Sequence, residues 1–257
     1  MCSDLQHALR HVKDSVIKHK WILTAAVIWI FVCSFWTAYD QENMYKLYGL
    51  SASAADYIIA QQEALYSGLT IFPFVLFFVI KCKQNSLNTQ YILRYQSRKR
   101  MLKNQFIESV MYAVISALLL VGIATMIGWT VSGKLINWDA MDSVFIGQTG
   151  ESVKVNFLAV AVIVWLMYTL KFSILFAVAD IAMWFPKTLF LVWIVLLLPL
   201  GIEALHYGNI FFNLFAIRQT LWMSPGKWSA LIISGVIIFG LEYMAGKKLV
   251  KKRDIWG

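Results

Sequence analysis

FLAVAVIVWLMYTLKFSILFAVA, residues 157–179, is an apolar run broken by a single charge, Lys171. About 20 such residues, coiled as an α-helix, span the hydrocarbon core of a bilayer. Five further runs flank it: Trp21–Ala38, Tyr66–Ile80 (starting near Ala64), Phe106–Val131, Phe185–Ile202 and Trp228–Ala245. Glu108 interrupts the third run, Lys187 stands near the start of the fifth and Glu242 near the end of the sixth. A backbone in hydrocarbon has to satisfy its own hydrogen bonds, so runs of this length predict six spanning helices. A shorter stretch, Ile210–Ile217, cannot cross and reads as a re-entrant or interfacial segment. The expected fold is all-α and polytopic.

Composition agrees. Of 257 residues, 60% are hydrophobic and 14% charged, against roughly 25% charged in a soluble domain. This argues against a disordered chain, a nucleic-acid-binding domain and a soluble enzyme. The 15% aromatic content suits two interfacial belts. Cys2, Cys33 and Cys82 are an odd number without CxxC spacing, so neither a disulfide framework nor a zinc site is expected, and no cofactor is implied. Four basic residues precede the first run and no small-residue cleavage site follows Ala38; the first span is expected to stay in the mature protein.

Six spans put both termini on one side. The segments on that side, 1–20, 81–105, 171–187 and 246–257, hold 18 of the 23 Lys and Arg, and the opposite segments hold 5. The positive-inside rule makes the first side cytoplasmic. Asp40, Glu42, Asp56, Glu63, Asp139, Asp142, Glu151 and Glu203 fall on the other face. The net charge of +9 is thereby an orientation signal, and nucleic acid is not needed to explain it.

Residues 4–20 place Leu5, Leu9, Val12, Val16 and Ile17 at helical spacing among Arg10, Lys13, Asp14, Lys18 and Lys20, the pattern of an amphipathic helix lying at the interface. His7 and His11, four apart, read as a surface pair. The cytoplasmic loop 81–105 has seven basic residues and no acid. Its apolar edge of Leu87, Tyr91, Ile92 and Tyr95 predicts a short helix from about Leu87 to Tyr95, followed by a basic turn at Arg98, Lys99 and Arg100. A solvated loop explains the charge. It does not explain Tyr-Ile-Leu-Arg-Tyr, which offers aromatic and Arg anchors of the kind enriched at protein interfaces.

The chain carries little chemistry of its own. Gly128–Lys134 approaches a phosphate-binding loop, but Leu135 replaces the magnesium-binding hydroxyl and the stretch ends an apolar helix on the outer side. The runs hold no His, which disfavours an intramembrane hydrolase. Glu108, Lys171, Lys187 and Glu242 all fall toward cytoplasmic ends, where the lysines can snorkel and the acids can pair with basic neighbours. With no acid expected at mid-membrane and no visible repeat between the halves, a secondary transporter is disfavoured. Any transport would draw its energy from a partner.

In layout the chain resembles the membrane subunit of an ABC transporter of the type-2 exporter class. Residues 4–20 are similar to the family's amphipathic elbow helix, which precedes a six-span domain, here 21–257, and residues 87–100 are similar to its coupling helix. Leu93-Arg-Tyr-Gln-Ser-Arg-Lys-Arg100, closing with Leu102, Lys103 and Asn104, looks like the family's Arg-x-x-Ser-Arg region. Short outer elements at 203–217 and the ending Lys251-Lys-Arg-Asp-Ile-Trp are also similar. The loop Asp180–Pro186 departs from the pattern, being too short for a second coupling helix. The resemblance implies a multi-pass plasma-membrane permease without a nucleotide site. It would pair with a second permease copy and with separate ATP-binding cassette ATPase subunits. It also implies that Gln90, Tyr91, Arg94, Tyr95, Arg98, Lys99 and Arg100 contact the ATPase. The competing reading is a membrane immunity or sensor protein that binds a peptide without transporting it. Acidic outer loops bearing Tyr39, Tyr45, Tyr48, Tyr57, Trp138 and Trp222 suit a cationic amphipathic cargo, a peptide antibiotic among the candidates.

The charge asymmetry makes a direct prediction. In intact cells, a cysteine replacing Asp142 is labelled by an impermeant thiol reagent and one replacing Arg98 is not. Labelling at 98 would reverse the orientation.

Overall fold

The computed structural model describes residues 2–83, 97–184, 189–206 and 208–252. Those residues are helical apart from connecting turns; among them the only β-pairing is an isolated parallel bridge between Ser51 and Ser143. The helices are α1 (Cys2–Lys18), α2 (Lys20–Leu47), α3 (Ala54–Ala60), a π-helical turn (Ala64–Leu69), α4 (Phe72–Lys83), α5 (Arg98–Ser132), α6 (Val144–Thr149), α7 (Phe157–Met183), α8 (Leu189–His206), α9 (Gln219–Trp222) and α10 (Pro225–Lys252). Four of them, α2, α5, α7 and α10, are long and apolar enough to cross a membrane. This is the architecture of a helical membrane protein.

The second apolar run departs from the expected continuous helix. A non-helical step precedes it, just before Ala64, and the run itself is broken at Thr70 and Ile71. Pro73 contributes to the break, because it has no N–H to give the carbonyl of Leu69. The turn between the step and the break packs against α8, and Gly68 sits there because a Cβ would come within 3.2 Å of the Phe212 ring.

α7 runs through the centre, packed along α5 and α10, with α2 and α1 on the far side of α5. The core around it is aromatic: Phe72 stacks on Phe172 and Phe176 with centroids 6.0 and 6.3 Å apart, and Phe212 closes the group at 6.0 Å from Phe72. On α5 the buried face alternates large residues with Ala113, Ala117, Ala124 and Gly128, so neighbouring backbones approach closely. In α1 the buried face is Ala8, Val12 and Ser15, while Leu9 and Ile17 stay exposed.

The helix ends correct three sequence expectations. Arg98, Lys99 and Arg100 form the first turn of α5, not a loop turn, because Ser97 caps the helix by accepting the Arg100 N–H. α7 continues through Asp180 to Met183, so Asp180 is a helical residue and not part of a loop. The outer segments form a packed cap rather than solvated loops. There Trp138, Tyr57, Trp222 and Tyr45 are buried, whereas Tyr39 and Tyr48 remain exposed. Backbone bonds from Ala54 and Ala55 to the carbonyls of Lys134 and Leu135, both 3.0 Å, hold α3 onto this cap.

The contact between α5 and α3 is testable. A Cβ on Gly128 would lie 2.9 Å from the Tyr57 ring and 3.0 Å from the Ala54 Cα, whereas one on Gly122 meets nothing within 4 Å. Gly128→Ala is expected to lower stability in detergent by about 1–3 kcal/mol, with Gly122→Ala neutral by thermal unfolding. Equal effects would mean that α3 does not rest on α5.

Candidate functional site

Three polar groupings stand out in a molecule built mainly of apolar side chains. The first is at the centre. Lys171 was expected to snorkel to the cytoplasmic interface; instead it lies in the middle of α7, fully buried. Its Nζ donates to the Gln62 carbonyl at 3.0 Å and lies over the Tyr168 and Phe212 rings at 5.5 and 5.1 Å. Glu203 and Glu63 are within electrostatic reach. An isolated buried ammonium is prohibitively costly. The carbonyl, the ring faces and the two carboxylates together make this one tenable. The expectation that Lys171 snorkels to an interface is therefore overturned.

Glu203 and Asp56, read from sequence as outer-loop acids, are also buried. Glu203 accepts backbone N–H bonds from Ile210, Phe211, Phe212 and Asn213 at 2.7–3.0 Å. The short apolar stretch 210–217 is thus folded around one carboxylate, with Phe212, Phe215, Ala216 and Ile217 buried beneath the cap. Asn213 then accepts the Ala64 N–H at 2.8 Å, and Gln62 accepts the Ile217 N–H at 3.2 Å. Asp56 is held by Ser53, Trp138 and Gln219, the Trp138 Nε1 donating at 3.0 Å. Burial pushes the Asp56 carboxyl above its ordinary range, opposed by the Ser53, Gln219 and Trp138 donors.

Beside this hub opens the second grouping, a cleft of about 700 Å³ at the capped end of the bundle. Glu63, Tyr45, Ile59 and Gln219 line its depth, and the exposed Met44, Tyr48, Gln148, Arg218 and Thr220 line its mouth. Burial pushes the Glu63 carboxyl up, and Arg218 and Lys171 oppose that shift.

The third grouping is at the opposite end. Lys83, fully buried at the end of α4, reaches Asp180 of α7 at 2.7 and 3.0 Å and also donates to Ser109 and to the Gln105 carbonyl of α5. Ser109 donates to Asp180 at 2.6 Å, and Trp184 donates to the Gln105 side chain at 2.8 Å. One turn along α5, Glu108 is buried with His11 of α1 at 3.1 Å. His11 is therefore packed inside and not a surface residue, and the partner of Glu108 comes from α1 rather than from a basic neighbour on α5.

Of the sequence-predicted contact residues, Gln90, Tyr91, Arg94 and Tyr95, with the helix expected over 87–95, lie outside the described residues, as does Lys187. Arg98, Lys99 and Arg100 are described, at the start of α5 next to the third grouping. Cations in a helix's first turn oppose its dipole, so their charge does not serve the helix. Sequence reasoning missed Lys83, Asp180, Gln62, Asn213, Asp56 and Glu203. Only Lys171, a charge inside an apolar run, carried a signal. Comparison with protein families, with curated proteins and with solved structures gives no match.

Removing one member of the Lys83–Asp180 pair leaves the other charged and buried. Lys83→Met is expected to cost about 3–5 kcal/mol, and adding Asp180→Leu to recover most of it, both read by thermal unfolding in detergent. Equal stability of the single and double variants would contradict the pairing.

Proposed function

We propose that this chain is the membrane-spanning permease subunit of an ATP-driven exporter of the type-2 ABC class. In this reading it has six spans and cytoplasmic termini. It works in the plasma membrane with a second permease copy and separate ATPase subunits, and it moves an amphipathic substrate. The observation that carries the reading is how the basic cytoplasmic segment is rooted. It leaves α4 directly after Lys83, which is locked to Asp180, and it enters α5 at Ser97, which caps that helix. A segment held this way passes a push from a partner into the bundle instead of absorbing it.

The path onward is α5 itself. Its 35 residues make a rod about 50 Å long. Its cytoplasmic half carries Gln105, Glu108 and Ser109, and its outer half carries Gly128 against α3. α3 leads into the break at Gln62 and Glu63, the floor of the outer cleft. ATP-driven displacement at the inner end would thereby reach the outer cleft through one stiff element, with Lys171 as the pivot contact. The chain itself makes and breaks no bonds. Placing Lys171 in mid-helix leaves the basic asymmetry at 17 against 5, so the assigned orientation is unaffected.

The test acts on the anchors of the segment. Tyr91→Ala with Arg94→Ala is expected to leave the chain inserted while an ATPase partner no longer co-purifies and export stops, since losing such anchors costs about 2 kcal/mol or more. Unchanged co-purification and export would reduce the segment to a solvated loop. If the parent chain brings down a peptide and no ATPase, the sensor or immunity reading replaces this one.

A further inference from the structure

The outer cleft has a chemical bias that transport alone does not require. Glu63 lines it half-buried, and its carboxylate has no hydrogen-bond or ion-pair partner among the described residues. Arg218 lines the mouth, exposed, and attracts Glu63 without forming an ion pair with it. Every other buried acid of the outer half is satisfied by protein donors: Asp56 by Ser53, Trp138 and Gln219, and Glu203 by four backbone N–H groups. Glu63 is the exception, and it lines the cleft. The rest of the lining mixes apolar and aromatic side chains, Tyr45, Leu50 and Ile59 among them, with the neutral amides Gln41, Gln148 and Gln219. At about 700 Å³ the cleft is in the size range of small-ligand sites, roughly 300–1,000 Å³.

These features select a ligand. A purely cationic molecule drawn to Glu63 meets Arg218, and a purely anionic one drawn to Arg218 meets Glu63. A neutral apolar molecule would strip water from a carboxylate and give nothing back. A molecule carrying both an ammonium and an anionic group satisfies the two side chains together, and its apolar part covers the walls. We propose that the cleft is a binding site for a zwitterionic amphiphile, its ammonium on Glu63, its anionic group on Arg218 and its apolar body on Tyr45 and Leu50. Two sources offer that chemistry, a phospholipid headgroup from the outer leaflet and a short amphipathic peptide. The assignment does not rest on the transport reading, because a chain without an ATPase partner would hold the same cleft.

The experiment uses the full chain purified in a non-ionic detergent, with affinity measured by fluorescence titration. The lipid probe is lysophosphatidylethanolamine, with lysophosphatidylglycerol as the control that lacks an ammonium. The peptide probe is N-acetyl-Lys-Phe-Leu-Phe with a free carboxylate, which carries one ammonium and one anion, with its C-terminal amide as the control that lacks the anion. At least one zwitterionic probe is expected to bind about tenfold more tightly than its control, a difference of about 1.4 kcal/mol. Glu63→Gln should remove the lysolipid preference, Arg218→Gln should remove the peptide preference and weaken both lysolipids alike, and Thr220→Trp, which fills the mouth from an exposed position, should block binding altogether. Preference for the lysolipid alone assigns a headgroup site, and preference for the peptide alone assigns a peptide site. If Glu63→Gln does not fold, Arg218→Gln and Thr220→Trp decide the matter, since both act at exposed positions. No preference for either zwitterion over its control, a peptide preference that survives Arg218→Gln, lysolipid binding that Arg218→Gln does not weaken, or binding that survives Thr220→Trp overturns the proposal. Because the readout is binding to the isolated chain, it can fail while an ATPase still co-purifies, and succeed while none does.

Discussion

Broken backbone inside an apolar bundle is the constraint on which the structure turns. Where the second apolar run is interrupted, peptide groups lose their helical partners, and no water is at hand to replace them. Three of the backbone groups near the breaks are met by side chains from other elements. Lys171 takes the Gln62 carbonyl, Asn213 takes the Ala64 N–H and Trp29 takes the Thr70 carbonyl at 2.8 Å. The stretch 210–217 has the same problem and the same kind of solution, four N–H groups gathered by Glu203. The breaks are therefore specified, and the polar side chains around them are structural partners before they are anything else.

This arrangement divides the molecule along its length. At the end where α4 stops and α5 begins, Lys83, Ser109 and Asp180 bind three helices to one another through a fully buried charge pair. Such a pair contributes modestly to net stability and strongly to register, because a slipped helix would leave a charge alone. At the outer end the breaks replace continuous helix with short elements that are hydrogen-bonded side by side. One end resists relative motion and the other contains the joints. That is the distribution expected of a device that receives a push at one face and changes shape at the other, and it supports the permease reading.

The acids of the outer half illustrate how burial sorts residues of one type into different roles. Asp56 and Glu203 are saturated with donors and hold the cap together. Glu63, a short step along the chain from the first, is not saturated and lines an opening. Counting acids in outer loops treats the three alike. The count of eight acids opposed to a basic face is an argument about orientation, and it says nothing about which acid meets solvent.

The sequence by itself determined the class of molecule and the long elements. Apolar runs at 21–38, 106–131, 157–179 and 228–245 became α2, α5, α7 and α10, because hydrophobic length and helical hydrogen bonding are local properties. Tertiary structure alone decided the broken second run, the folded stretch at 210–217 and the fate of the charges. Lys171 reads as a snorkelling residue until Gln62, Tyr168 and Phe212 are brought around it, and Asp180 reads as a loop residue until Lys83 arrives from α4. Partners separated by about a hundred residues leave no trace in a window of twenty. Whether a buried charge is tolerable depends on the groups that surround it, and those are assembled only by the fold.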